Sequence, residues 1–371
     1  MSASSKIPQI PRAWRSSQLI RRLLRIIARS REAVAKRRRT RESEDFVKAV
    51  LPVIPEAEGI TPAAWSELRV LTTVADMTVL TLAAPGRPPA AVLKFPRTEP
   101  AAASLRREKQ VLRSLQQDVR LGGWSGLLPT VLASGEVAGR PYLVQKAISG
   151  VQGATLLARG APAAELLLAA TSAIGDLHRH TATPRIVDES LLEHVLGTPV
   201  EEVRSALPKL REGARAAAVD HIERDVTASL AGRTVPVGWI HGDFAPTNIL
   251  FSAEGTTVSG VVDWELATPA GLPLLDVLQL LISTRMLLGS CELGDVVAGL
   301  LEGDGWGPEE AAVLAAAASG LPGEPLELRP LLLLCWLDHV RGNLRKSRRY
   351  LRSPLWSRAN VDPVLRSASR R

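Results

Sequence analysis

Apolar and polar positions recur with two different periods along the chain, and the change of period divides it. Near the start, Leu19, Ile20, Leu23, Leu24 and Ile27 fall on one face of a helix, with Arg21, Arg22, Arg25 and Arg29 around the rest. The Ser- and Pro-containing stretch before it, Met1 to Arg15, is expected to be disordered. From about Leu68 the apolar runs shorten to strand length. Leu68–Val74, Met77–Ala83 and Ala90–Phe95 are strand candidates, and Pro85-Gly86-Arg87-Pro88-Pro89 separates the last two. A helix follows, with Thr98 as its cap, Pro100 in its first turn, and Leu105, Val111, Leu112 and Leu115 as its apolar face. Thr130–Ser134 and Pro141–Ala147 read as two more strands around the turn Val137-Ala138-Gly139-Arg140.

After Gly150 the period becomes helical, over 162–180, 190–195, 200–230, 273–288, 308–318 and 328–350. One hairpin interrupts it, Asn248–Ser252, a turn at 253–256, and Val258–Trp264. The pattern predicts an α+β, bilobal architecture: a small antiparallel β-sheet lobe with one helix, then a large, mostly helical lobe with an embedded β-hairpin. The expected boundaries are a basic N-terminal extension over 1–45, the small lobe over 46–148, and the helical lobe with a basic C-terminal helix and tail over 149–371.

Composition narrows the class. A chain of 371 residues suits two lobes, and its 46% hydrophobic content excludes uniform disorder. Cys291 and Cys335 are the only cysteines, which rules out a disulfide framework or a Cys-rich zinc site and suits a reducing, cytoplasmic location. No uncharged apolar run approaches the roughly 18 residues of a membrane span. The net charge of +8 is uneven: residues 1–45 and 341–371 carry +9 each, which leaves −10 for 46–340. A nucleic-acid reading would therefore rest on the ends alone. No groove-reading motif accompanies them, so no specific nucleic acid is expected as a partner. The basic N-terminal helix has three readings: docking on the body, peripheral contact with an anionic membrane, or contact with a nucleic acid. Docking is favoured, because an amphipathic face needs an apolar partner.

The segment from Trp239 to Phe251 carries the chemistry. An apolar entry leads into His241-Gly242-Asp243, then Asn248 after four residues, then a strand; Val261-Val262-Asp263-Trp264-Glu265 ends the second strand of the hairpin. Antiparallel pairing brings Asp263 back to the Asp243/Asn248 end. Phosphoryl transfer calls for this set: one carboxylate to accept a hydroxyl proton and two oxygen ligands to hold Mg²⁺ against phosphates. Asp243 can be the base, and Asn248 and Asp263 the metal ligands. A lone Asp or Asn in a loop is more often a turn or cap residue, but chance would have to gather all three around one hairpin.

His-Gly-Asp-x-x-x-x-Asn followed by Asp-Trp-Glu resembles the aminoglycoside phosphotransferase and choline kinase group, over about residues 65–350. The resemblance implies a protein-kinase-like fold, ATP and Mg²⁺ as cofactors, and a small-molecule hydroxyl compound as acceptor. It also implies roles for other residues. Lys94, inside the apolar run Val92–Pro96, would pair with Glu108 and reach the α/β-phosphates; the plainer reading is an edge lysine snorkelling to water. Backbone groups of Gln145 and Ala147 would meet adenine. His241 would be structural, bonding backbone near its loop. Asp276 would brace that loop, or simply sit on the dipole of its helix. Glu265 would support the site or a second metal, with a surface ion pair an equal reading.

One departure stands out. The turn near Thr73-Val74-Ala75-Asp76-Met77-Thr78 has no glycine to approach a phosphate closely, which leaves Thr73 or Thr78 as donors. That gap supports the alternative of a catalytically weak, pseudokinase-like scaffold recruited through its basic tails. Glu292, Asp295, Glu302 and Asp304 are available to line an acidic pocket for a cationic acceptor, and could as easily face solvent.

Overall fold

A computed structural model describes residues 44–54, 67–72 and 76–370. The amphipathic pattern at Leu19–Ile27, the stretch Met1 to Arg15, and Thr73–Ala75 of the glycine-free turn lie outside the described residues. The chain separates into two compact units, residues 1–63 and 64–371. In the first, a short helix over 44–50 runs into a 3-10 turn, Leu51–Val53, that opens on Pro52.

The second unit begins with a five-stranded sheet of β1 (Glu67–Thr72), β2 (Met77–Ala83), β3 (Ala91–Pro96), β4 (Val131–Val137) and β5 (Arg140–Lys146). The order is β1-β2-β3-β5-β4, with every neighbouring pair antiparallel. The β4–β5 turn places Ala138 and Gly139 at φ of 50° and 72°, the two left-handed positions of a tight hairpin. Alternation along β3 sends Leu93 and Phe95 to one face and Lys94 to the other. Helix α1 (Glu99–Gln117) crosses between β3 and β4 in sequence and packs on β3 and β5. It buries Ala101, Leu105, Glu108, Val111, Leu112 and Leu115, which recur at three and four residues. One buried position on that stripe is a carboxylate, and the helix therefore delivers Glu108 to the sheet.

The large lobe holds α2 (Gly153–Ala158), α3 (Ala163–Thr181), α4 (Thr198–Ala206), α5 (Gly213–Leu230), α6 (Leu274–Gly289), α7 (Leu293–Glu302), α8 (Pro308–Ser319), α9 (Leu328–Lys346), α10 (Pro354–Asn360) and α11 (Asp362–Ala368). Its centre is α6, in which every residue from Leu274 to Thr284 is buried, packed against α9. The helix expected over 200–230 is two. Pro208 removes an amide, Leu207 turns to φ −124° and ψ 79°, and Gly213 restarts the chain at φ +54°. The helix expected over 328–350 stops at Lys346, where Ser347 is extended.

The single embedded hairpin needs correction. Two three-stranded sheets occur, β10-β9-β6 and β11-β8-β7. The first joins β6 (Val151–Gln152) to the expected hairpin, β9 (Ile249–Phe251) and β10 (Val258–Val261); the second is β7 (Thr183–Ile186), β8 (Thr234–Ile240) and β11 (Thr268–Gly271). Strands of two to four residues are too short to show a period, and β8 contains Pro236 and Gly238, which read as breakers. The two sheets meet in sequence at the loop 241–248, between β8 and β9. No single helix among the described residues is long and apolar enough to cross a membrane.

Candidate phosphotransfer site

The loop 241–248 is held from below. Asp276, in the first turn of α6 and 1% exposed, accepts the His241 amide at 2.8 Å on Oδ2 and the Gly242 amide at 2.9 Å on Oδ1. His178, at the end of α3, contacts the same Oδ2 through Nε2 at 3.1 Å. Gly242 sits at φ +76°, and a Cβ there would lie 2.6 Å from the Leu266 carbonyl oxygen, so the turn requires glycine.

His241 is fully buried, with its ring 4.5 Å from that of Trp264. Its Nδ1 accepts the Asp243 amide at 3.2 Å, so Nε2 carries the proton, which it donates to the Val262 carbonyl at 2.9 Å. The imidazole thus ties the loop to the end of β10 and has no nitrogen left for a substrate. Asn248 folds back on the loop, donating Nδ2 to the Asp243 carbonyl at 2.9 Å and to Asp243 Oδ2 at 3.2 Å. The Val262 amide donates to the Asn248 carbonyl at 2.9 Å, which sets Asp263 beside this pair. Asp263 itself is left-handed, at φ +66°.

Lys94 reaches this cluster from β3. Its Nζ donates to Glu108 Oε1 at 2.6 Å and to Asp263 Oδ1 at 2.5 Å. Burial works against the ammonium, but Asp263 and then Glu108 outweigh it and lift its pKa above the ordinary lysine value. Glu108 also accepts from Gln145 Nε2 at 3.0 Å. Carboxylate oxygens of Glu108, Asp263 and Glu265 lie within 4.8 Å of one another.

Two assignments change. Gln145 lies mid-strand, opposite Val92 on one side and Val131 on the other, so its backbone groups belong to the sheet. The Ala147 amide donates to the Ala90 carbonyl at 3.0 Å. The Gln145 backbone does not offer adenine the contact expected of it, and Gln145 acts through its side chain, on Glu108; of Ala147 only the amide is taken. A glutamine 3% exposed amid Leu143 and Val144 must find a partner, and that signal was present in the sequence.

The sequence gives no local signal for Lys346. It reads as one cation on a basic helix face, yet at the end of α9 its Nζ lies 2.5 Å from Asp243 Oδ2 and 3.4 Å from Glu265 Oε1. Burial raises the Asp243 pKa, but Lys346 more than reverses this and holds the carboxyl at about 2. Glu265 is pushed up to about 7 by burial, which Asp263 and Glu108 reinforce against Lys346. It is therefore part of the site, not a surface ion pair. Glu292, Asp295, Glu302 and Asp304, by contrast, are all exposed, and Glu302 pairs with Arg370 at 2.9 Å. They form no acidic pocket.

The donors left over suit a hard cation. Asn248 uses only Nδ2, which leaves its carbonyl oxygen, and Asp263 uses Oδ1 on Lys94 with 43% of its side chain exposed. Two oxygens without a protein partner, that of Asp263 exposed and that of the buried Asn248, match Mg²⁺, which keeps waters and phosphate oxygens for its remaining positions.

The sequence profile of the phosphotransferase enzyme family, APH, matches residues 75–314. A search of curated protein sequences finds no significant match. Among solved structures, the GDP and kanamycin complex of APH(2'')-IIia is 17% identical, with a TM-score of 0.50 over 87% of this chain and 95% of that chain. The aminoglycoside phosphotransferase APH(3'')-Id from Streptomyces rimosus is 18% identical, with a TM-score of 0.49 over 74% of this chain and 92% of that chain. An aminoglycoside-3'-phosphotransferase of type VIII is 17% identical, at 0.47 over 80% and 98%.

Proposed function

The chain belongs to the phosphotransferase enzyme family, and from that premise we propose that it moves the γ-phosphate of ATP to a hydroxyl of a small molecule. The acceptor class is an aminoglycoside, amino alcohol, sugar or similar compound. One observation carries the reading: Asp243, Asn248, Asp263, Lys94 and Glu108 form a continuous polar cluster at one end of the β9–β10 hairpin.

In this reading Asp243 orients the acceptor hydroxyl and takes its proton. Its low pKa keeps it ionised throughout the neutral range. A weak base suffices, because phosphoryl transfer is mostly positioning and charge stabilisation. Lys94, held between Glu108 and Asp263, presents its ammonium to the nucleotide phosphates. Asn248 and Asp263 would hold Mg²⁺, which supplies positive charge against the phosphate oxygens. Lys346 adds a second cation beside Asp243, where negative charge gathers during transfer. Asp276 and His241 keep the loop in shape. APH(2'')-IIia is described with GDP and kanamycin, which fits a nucleotide donor and a small-molecule acceptor.

A second reading, a scaffold that keeps the fold without turnover, draws on the Lys346–Asp243 contact, because an ammonium on the base can also block it. A radiolabelled γ-phosphate screen over hydroxylated small molecules separates the two. Transfer to at least one acceptor supports the enzyme. No transfer, together with no thermal stabilisation by millimolar ATP and Mg²⁺, supports the scaffold.

A further inference from the structure

Behind the catalytic loop lies a cavity of about 150 Å³ whose charge is opposite to that of the transfer site. Arg107 enters it from α1, Arg341 and Arg345 from α9, and His194 from the irregular helical stretch after residue 189, while Gly242 and Thr268 form its floor. Asp243, Asn248 and Asp263 are not among its walls.

Two of the three guanidiniums, those of Arg107 and Arg345, are only partly committed. Arg107 donates one Nη2 bond, to the Ala267 carbonyl at 3.0 Å, which leaves its Nε and Nη1 without a protein partner among the described residues. Arg345 gives Nη2 to Glu202 at 2.6 Å, and Arg341, the most committed of the three, gives Nε and Nη2 to Glu202 at 2.8 and 3.4 Å. Asp338 is the one acid in the wall, 3.6 Å from Arg341. Three arginines against Glu202 and Asp338 leave a surplus of positive charge. Its effect is felt inside: burial, then Arg341 and Arg107, hold the His194 pKa below the usual histidine value, and burial with Arg345 and Arg341 lowers that of Arg107. Like charges kept together around a partly buried space favour an anion between them, and guanidinium forks match phosphate oxygens.

We propose that this cavity is a binding site for a phosphate group, free or carried as a monoester, gripped by Arg107 from α1 and by Arg341 and Arg345 from α9. The anion fastens α1 to the large lobe. Glu108 follows Arg107 on the same helix, so the bound anion also steadies the Glu108–Lys94 pair.

The test is calorimetric titration of the purified full chain with inorganic phosphate and, separately, glycerol phosphate, at constant ionic strength and with saturating Mg-ADP filling the transfer site. The expected result is saturable binding that Arg107→Gln and Arg345→Gln each weaken about tenfold, the loss of one charge-assisted contact, while Arg159→Gln, at an exposed arginine outside the cavity, leaves it unchanged. Binding by glycerol phosphate but not inorganic phosphate assigns the site to monoesters; the reverse assigns it to the free ion. No saturable binding of either compound overturns the proposal. So does equal binding by wild type and a folded Arg107→Gln variant, with folding checked by circular dichroism.

Discussion

Lys346 Nζ lies 2.5 Å from Asp243 Oδ2, and the two residues come from the end of α9 and the loop after β8, 103 positions apart in sequence. Both side chains are mostly enclosed, at 22% and 19% exposure. Removing the ammonium leaves Asp243, Asp263 and Glu265 facing one another without it. Lys346→Met is therefore expected to lower kcat by at least tenfold, about 1.4 kcal/mol of transition-state stabilisation. Lys346→Arg should recover part of the loss. Steady-state kinetics check this, and a Lys346→Met variant faster than wild type would identify the contact as a block on the base.

Lys94 and Glu108 make a buried pair across the sheet and α1. Leaving one charge of a buried pair alone costs about 3–5 kcal/mol, and Glu108→Ala costs less than that because Asp263 still pairs Lys94. Glu108→Ala should thus lower the melting temperature clearly and raise KM for ATP. Lys94→Met should raise KM for ATP and reduce the thermal stabilisation by Mg-ATP. Differential scanning fluorimetry with and without nucleotide reads both effects.

Asp276 serves three donors at once, the amides of His241 and Gly242 and the ring of His178. Asp276→Asn turns one acceptor oxygen into a donor facing a donor. The expected outcome is a loss of about 2–3 kcal/mol of stability and a fall in kcat larger than the change in KM. Urea denaturation and steady-state kinetics measure the two.

Asp338 gives a pH-dependent signature. Burial pushes its carboxyl up to about 6, against the pull of Arg341 and Arg345. An unfolded aspartate titrates near 3.9, so the folded state binds the proton more tightly. The resulting stability is fully present below about pH 4 and is lost as the pH rises through about 6. Asp338→Asn removes that slope. Its stability, read by urea denaturation at each pH, should fall less than that of wild type between pH 4.5 and 7, a difference of about 1 kcal/mol given the 33% exposure of the side chain.

Much of the small lobe is legible in the sequence, because its strands are short runs bounded by turn residues and α1 has an apolar stripe interrupted only by Glu108. Met77–Ala83 agrees with β2 at both ends. The large lobe is less legible. β6 and β7 are too short for a period, and Pro208 splits a helix whose apolar pattern continues on either side. In the candidate site, Asp243, Asn248, Asp263, Lys94 and Glu108 come together as their motifs imply, since each lies on or beside an element the pattern reveals. Lys346 does not show in the sequence, because only the packing of α9 decides which cation of a basic face turns inward. The hinge contacts of the Gln145 backbone and the Ala147 amide fail for a related reason: ladder partners are a property of the sheet, not of the strand.

The account turns on Asp243. The decisive measurement is transfer of labelled γ-phosphate from ATP to the acceptor identified by screening, for wild type and Asp243→Asn, alongside Mg-ATP binding by calorimetry. Nucleotide binding within about threefold of wild type with transfer reduced by at least 10²-fold, the typical span of a catalytic base, is the predicted result. Transfer by Asp243→Asn at the wild-type rate would contradict it.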